Sequence, residues 1–209
     1  MGAEKEAEKE VSESDEMLTI LKKLASGEIS VKSAYETLKR LRSLRILKNF
    51  ARIDIARKQR TGIPEIILAT GKSEEQVAEI ALALAESQGF ALVTRASSPS
   101  YAKAVREKAE RAGFHVEENK VARTILVKHP AYEFKKVGKI AILSAGTADI
   151  KVAEEAKIVA QVCGCEVLTA YDVGIAGLHR LSEPLERFLS EGVVAIIVVA
   201  GMELSLIHI

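Results

Sequence analysis

A chain of 209 residues, 48% of them hydrophobic, has room for one domain of ordinary size plus a smaller one, with enough apolar residues for a core. Its 30 basic and 29 acidic residues leave a net charge of +1, which argues against a global basic field for nucleic acid or a membrane surface. Trp is absent and aromatic residues make up 4%, which argues against stacking platforms for single strands.

The chain starts "MGAEKEAEKE", charged and without the apolar core of a secretory signal, and no apolar run reaches transmembrane length. Residues 1–14 are Glu, Lys and Ser with almost nothing to bury, and read as a disordered lead. Residues 15–48 read as a helical hairpin. The first helix is capped by Ser14 or Asp15, carries Met17, Leu18, Leu21 and Leu24 at helical spacing, and stops at Gly27. The second runs through Val31, Ala34, Tyr35, Leu38, Leu41 and Leu44.

Residues 50–130 read as a small α+β domain. "EIILAT", "FALVTRA" and "ARTILVKH" are its strands. "SEEQVAEIALALAESQ" is a helix opened by Ser73, with Gln76 three residues on in a capping-box pattern, and "SYAKAVREKAERAG" is a helix ending at Gly113. "HPAYEFKKVG" reads as a polar linker.

From residue 137 to 203 the pattern changes to α/β. "KIAILSAG" is a continuous apolar strand of the kind buried on both faces of a parallel sheet. An amphipathic helix, "DIKVAEEAKIVAQVCG", follows. The strand "CEVLTAYDVG", the helix "LSEPLERFLSEG" with Pro184, and a third strand, "VVAIIVVAG", complete the run. Strand-helix-strand-helix-strand with short links predicts an open, doubly wound parallel sheet, here with three strands where five or more are usual. Cys163 and Cys165, one residue apart between helix and strand, are poorly placed to bridge one another and read as small packing residues of a soluble cytoplasmic protein.

Ligands of open α/β sheets sit at the carboxyl ends of the strands, so the loops there carry the candidates. In "SAGTAD", Ser144 ends a strand, Gly146 allows a tight turn, and Thr147 and Asp149 stand where the next helix starts, a place that favours a phosphate. A plain strand-to-helix turn with a cap accounts for the same residues. In "YDVGIAGLHRL", Asp172 and His179 are residue types for proton transfer and Arg180 for holding a phosphate or carboxylate, although an Asp-capped turn and a packed His are equally simple. "AGME" adds Gly201 and Glu203. Convergence of three such loops on one edge points to a small-molecule site with a phosphate. Asp149, Asp172 and His179 are the catalytic candidates; Ser144, Gly146, Thr147, Arg180, Gly201 and Glu203 are the binding candidates. No spacing of His115 or His129 suits a metal, and "ATGKS" lacks the first Gly of a P-loop.

"SAGTADIKVAEEA", "YDVGIAGLHRL", "VVAGME" and "RTGIPEIILATGKSEEQVAEIA" together resemble the LarB-type family, which opens synthesis of the nickel-pincer nucleotide. The carboxyl-terminal part also resembles the aminoimidazole ribonucleotide carboxylase/mutase of purine synthesis. The resemblance implies a flavodoxin-like sheet and carboxylation of the pyridine ring of nicotinic acid adenine dinucleotide by carbon dioxide or bicarbonate. It also implies Mg2+-assisted hydrolysis to AMP and pyridinium-3,5-biscarboxylic acid mononucleotide. Its implied partners are a small-molecule dinucleotide and seven further copies in an octamer, with no nucleic acid and no membrane. It assigns Ser144, Gly146, Thr147 and Asp149 to the nucleotide and carboxylate site, Asp172, His179 and Arg180 to phosphate and protons, and Glu203 to the border of the reacting ring.

Two positions depart from the family, Ala148 where Ser is usual and Lys151 where Pro is usual. The family's nucleophilic Cys lies beyond "AGME", and neither Cys163 nor Cys165 matches it. After Glu203 the chain reads "LSLIHI", which a DNA string resembling a transposase mosaic end would encode. Residues 204–209 are therefore expected to be an adaptor-derived tail on a truncated α/β domain, and this chain is expected to be inactive. The competing expectations are an aminoimidazole ribonucleotide carboxylase or mutase and a non-catalytic nucleotide-binding module.

Overall fold

Two helices, Glu13–Ala25 (α1) and Val31–Arg42 (α2), lie against one another at the start of the structure. The structure is a computed structural model and describes residues 13–42, 44–47, 51–54, 57–174, 177 and 179–201. Ile20 and Ala34 are buried in this pair, whereas Leu18 and Leu21 stay half exposed. Two boundaries differ from the sequence reading. Glu13 and Ser14, assigned to the lead, already form the first turn of α1. The second helix stops at Arg42, and Leu44–Leu47 (β1) pairs antiparallel with Ala51–Asp54 (β2). A short run such as "LRIL" fits both periods, and backbone pairing with "ARID" decides for the strand.

A short helix, Arg57–Thr61 (α3), leads to a mixed sheet built from Ile66–Leu68 (β3), Phe90–Thr94 (β4), His115–Asn119 (β5) and Thr124–Lys128 (β6), in the order β3-β4-β6-β5. β3 and β4 are parallel and joined by the helix Glu74–Gln88 (α4). Ser73 and Gln76 form the expected reciprocal cap: the Gln76 amide donates to Ser73 Oγ at 3.2 Å and the Ser73 amide to Gln76 Oε1 at 3.0 Å. The helix Pro99–Arg111 (α5) joins α4 on one face of the sheet, over Val77, Leu84, Val93, Val105, Ile125 and Val127. β5 escaped sequence reading because "HVEEN" is polar and buries only Val116, as suits a charged edge strand.

The other face of this sheet carries Phe90 and Leu92, each fully buried. They pack against Tyr132, Phe134, Ile158, Val159 and Val162. The stretch read as a linker is thus a packed strap. The Phe90 ring lies 5.1 Å from Tyr132 and 5.0 Å from Phe134. Its polar residues face water while its two aromatics face inward.

Gly138–Ser144 (β7), Cys165–Ala170 (β8) and Ala195–Val199 (β9) form a three-stranded parallel sheet in the order β8-β7-β9, the α/β architecture expected. The helix His179–Ser190 (α7) buries Leu181 and Phe188 against Ala141 and Leu143. The helix Ile150–Val162 (α6) packs against all three strands and also against β4. α6 is therefore a wall shared by both sheets. β9 lies at an edge, with Ile196, Ile197 and Val198 each more than a third exposed. No helix among the described residues is long and apolar enough to cross a membrane.

Candidate functional site

The carboxyl ends of β7, β8 and β9 meet in one cluster of loops. β7 ends at Ser144, which is fully buried. The Asp172 amide donates to Ser144 Oγ at 3.1 Å, and the Val173 amide donates to the Ser144 carbonyl at 3.0 Å. The Gly174 amide donates to the Ala145 carbonyl at 2.8 Å. A Cβ at Gly174 would lie 2.7 Å from that carbonyl oxygen, so only glycine admits this approach. The loops after β7 and β8 are thereby stitched together. The Ala145 amide binds the Val199 carbonyl at 2.9 Å and brings in β9.

Asp149 closes the first loop. Thr147–Asp149 is a single 3-10 turn ahead of α6, and the Gly146 amide donates to Asp149 Oδ2 at 3.0 Å. The carboxylate thus caps its own loop and leaves the first amides of α6 without it. A Cβ at Gly201 would stand 3.3 Å from Asp149 Oδ1, which locates the end of β9 beside that oxygen. Thr147 and Ala148 are exposed.

Asp172 adopts a left-handed backbone with φ 59° and is one of three such non-glycine residues among those described. Arg180 Nη1 donates to its Oδ2 at 2.6 Å, a charge-assisted bond between half-exposed groups. Gly177 lies under this pair, where a Cβ would meet Arg180 Nε at 2.4 Å. The arrangement leaves other donors of the guanidinium free to bind an oxyanion. His179, the first residue of α7, is exposed and makes no hydrogen bond or ion pair among the described residues. The cationic partner of Asp172 is therefore Arg180 and not His179. Ser144, Gly146, Asp149, Asp172, Arg180 and Gly201 share one edge, Thr147 and His179 stand at its surface, and Glu203 lies outside the described residues.

Behind the edge sits a group that sequence reading missed. Glu154 of α6 accepts hydrogen bonds from the Tyr171 hydroxyl, from Lys157 Nζ at 3.1 Å and from Asn119 Nδ2 at 3.4 Å. Burial opposes its ionisation, but these donors and the Lys157 charge outweigh burial and hold the carboxyl below its usual range. Burial, reinforced by Glu154, pushes the Tyr171 phenol up to about 12. The sequence signal was the Glu154–Lys157 spacing on one helix face; nothing local announced Asn119.

Cys163 and Cys165 lie at the opposite end of the sheet, as the strand direction required. Burial, then the neighbouring Cys165, pushes the Cys163 thiol up, the reverse of what a nucleophile needs. No group of three or more His, Cys, Asp or Glu residues among those described is arranged to hold a metal.

Residues 45–130 match the LarB/PurE-like N-terminal domain, which takes in the β1–β2 hairpin and the mixed sheet. An uncharacterized protein of Methanocaldococcus jannaschii is 41% identical over 178 residues, covering 85% of this chain and 69% of that relative. Identity and coverage of this size, with the amino-terminal domain matched, mean that the chain belongs to the LarB-type carboxylase/mutase family related to aminoimidazole ribonucleotide carboxylase.

Proposed function

We propose that the edge formed by Ser144, Gly146, Asp149, Asp172, Arg180 and Gly201 binds the phosphate-bearing part of nicotinic acid adenine dinucleotide. In this reading the family reaction is carboxylation of the pyridine ring with release of AMP. The observation that supports it most is the Asp172–Arg180 pair, held at 2.6 Å over a strained backbone and beside three stitched loops. Arg180 orients the pyrophosphate. Asp149 Oδ1, which takes no hydrogen bond among the described residues, accepts or returns a proton at the reacting end.

A magnesium ion fits this edge only in the manner usual for phosphate substrates, with one carboxylate and the substrate's own oxygens as ligands. Asp149 Oδ1 would be its carboxylate ligand, since Asp172 is committed to Arg180, and while it holds the ion it would not also take a proton. Bound there, the ion would neutralise charge at the phosphoanhydride. The covalent step needs a thiolate, and neither Cys163 nor Cys165 reaches this edge, so the proposal assigns to the described residues binding and proton handling alone. We further propose that copies of the chain associate. The apolar side chains exposed along β9 support this, and light scattering would read it as a mass above the 22.7 kDa protomer.

The test is a binding panel on the protein with the pyridine dinucleotide, AMP and aminoimidazole ribonucleotide. The expected result is saturable binding of the dinucleotide that Arg180→Gln weakens about tenfold, a loss of roughly 1.4 kcal/mol. Preference for aminoimidazole ribonucleotide, or indifference to Arg180→Gln, would overturn the proposal.

A further inference from the structure

The amino-terminal sheet has a cavity of its own, about 210 Å³ in volume, whose lining shares no residue with the edge just described. Ser97, Ser98, Lys120, Arg123 and Thr124 line it, with the exposed Glu118 at its rim. The loop after β4 and the turn between β5 and β6 form its walls, joined where the Ala96 amide donates to the Arg123 carbonyl at 2.9 Å. α5 begins at its rim, with Ser98 as the cap.

One buried polar atom in this lining, Arg123 Nε, has no partner among the described residues, and the Thr124 hydroxyl, on a side chain otherwise buried, has none either. Thr124 is only 2% exposed. Buried donors without acceptors cost folding free energy, so they are found where something else supplies the acceptor. The donors here are a guanidinium, an ammonium and hydroxyls beside the positive end of a 13-residue helix. That set is complementary to a compact oxyanion with several acceptor oxygens. Glu118 is the one opposing charge, and it stands on the exposed side.

We infer that this cavity is a binding site for a phosphoryl oxyanion, the phosphate group of a small phosphorylated ligand. Arg123 and Thr124 hold its inner oxygens and Lys120 its outer ones. The inference stands apart from the proposed carboxylation and does not depend on it.

The experiment is a titration of the isotope-labelled protein with inorganic phosphate, AMP and acetate at fixed ionic strength, read by amide chemical shifts. Phosphate should shift the amides of Ser98, Ser100, Tyr101, Arg123 and Thr124 saturably, with a Kd of about 1 mM. AMP should shift the same amides. Lys120→Gln and Arg123→Gln should each weaken phosphate about tenfold, and Glu118→Gln should tighten it several-fold. Thr124→Val keeps the buried shape and serves as the variant least able to disturb folding; it too should weaken phosphate several-fold while leaving the shifts of α4 unchanged. Absence of saturable shifts at these amides, unchanged phosphate binding in the folded Thr124→Val protein, or equal shifts with acetate would overturn the inference.

Discussion

The phenol of Tyr171 donates its hydrogen bond to the carboxylate of Glu154, fastening the end of β8 to α6. Asn119 reaches the same carboxylate from the mixed sheet, so one side chain touches both halves of the molecule. The phenol titrates at about 12 against an ordinary 10.0, mainly through burial and then through Glu154. A raised folded pKa means that the native state holds its proton longer. The contribution is therefore fully present below pH 10.0 and fades as pH rises toward about 12. Of the four tyrosines, Tyr171 should ionise at about 12 in an NMR-monitored alkaline titration. Tyr171→Phe should lose about 1 kcal/mol at neutral pH.

Glu154 makes the opposite prediction at low pH. Its pKa lies below the ordinary 4.5, so its contribution is present above 4.5 and is lost as pH falls through the depressed value. Denaturant midpoints of the protein should drop on acidification through this range, and Glu154→Gln should flatten the slope. An unchanged slope in that variant would remove Glu154 from the account.

Gly164, between α6 and β8, has φ 95°, and a Cβ there would sit 2.1 Å from the Lys135 carbonyl oxygen. Neither the backbone nor the strap can move aside without breaking the bond from the Val137 amide to the Gly164 carbonyl at 3.0 Å. Gly164→Ala should cost about 3 kcal/mol in chemical unfolding, far more than Gly→Ala at an open position.

Phe90 is fully buried between the sheet and the strap, in contact with Tyr132 and Phe134. Phe90→Ala should destabilise by about 3–5 kcal/mol, and protease cutting within residues 130–137 should speed up in parallel. Stability loss with no change in strap protection would mean that Tyr132 and Phe134 are held from elsewhere.

At the proposed site, Gly177→Ala should displace the Arg180 side chain, since the new methyl would begin 2.4 Å from Nε. The side chain can swing to solvent, so stability should change by less than about 0.5 kcal/mol. Dinucleotide affinity should fall several-fold, approaching that of Arg180→Gln. Equal affinity in wild type and Gly177→Ala would argue that the guanidinium position is irrelevant.

The parallel sheet was legible because its strands are continuous apolar runs ending in glycine or small residues, and α4 because Ser73 and Gln76 sit at capping spacing. β5 was not, since a charged edge strand carries no hydrophobic period. The strap was not, because two aromatics among polar residues read as a linker until Phe90 supplies a partner far away in sequence. At the site, chain direction alone told that the loops after β7, β8 and β9 share an edge. It could not tell that Arg180 and not His179 turns to Asp172, a choice made by the left-handed backbone at Asp172 and the space over Gly177.

Because α6 lies between two sheets, the stretch matched at residues 45–130 should not fold on its own. Excised alone, it would bare Phe90, Leu92 and Leu126 to water on the face that Ile158, Val159 and Val162 now cover. Heating should therefore melt both sheets in one transition, and a ligand that tightens the loops at either end of α6 should raise that single melting temperature.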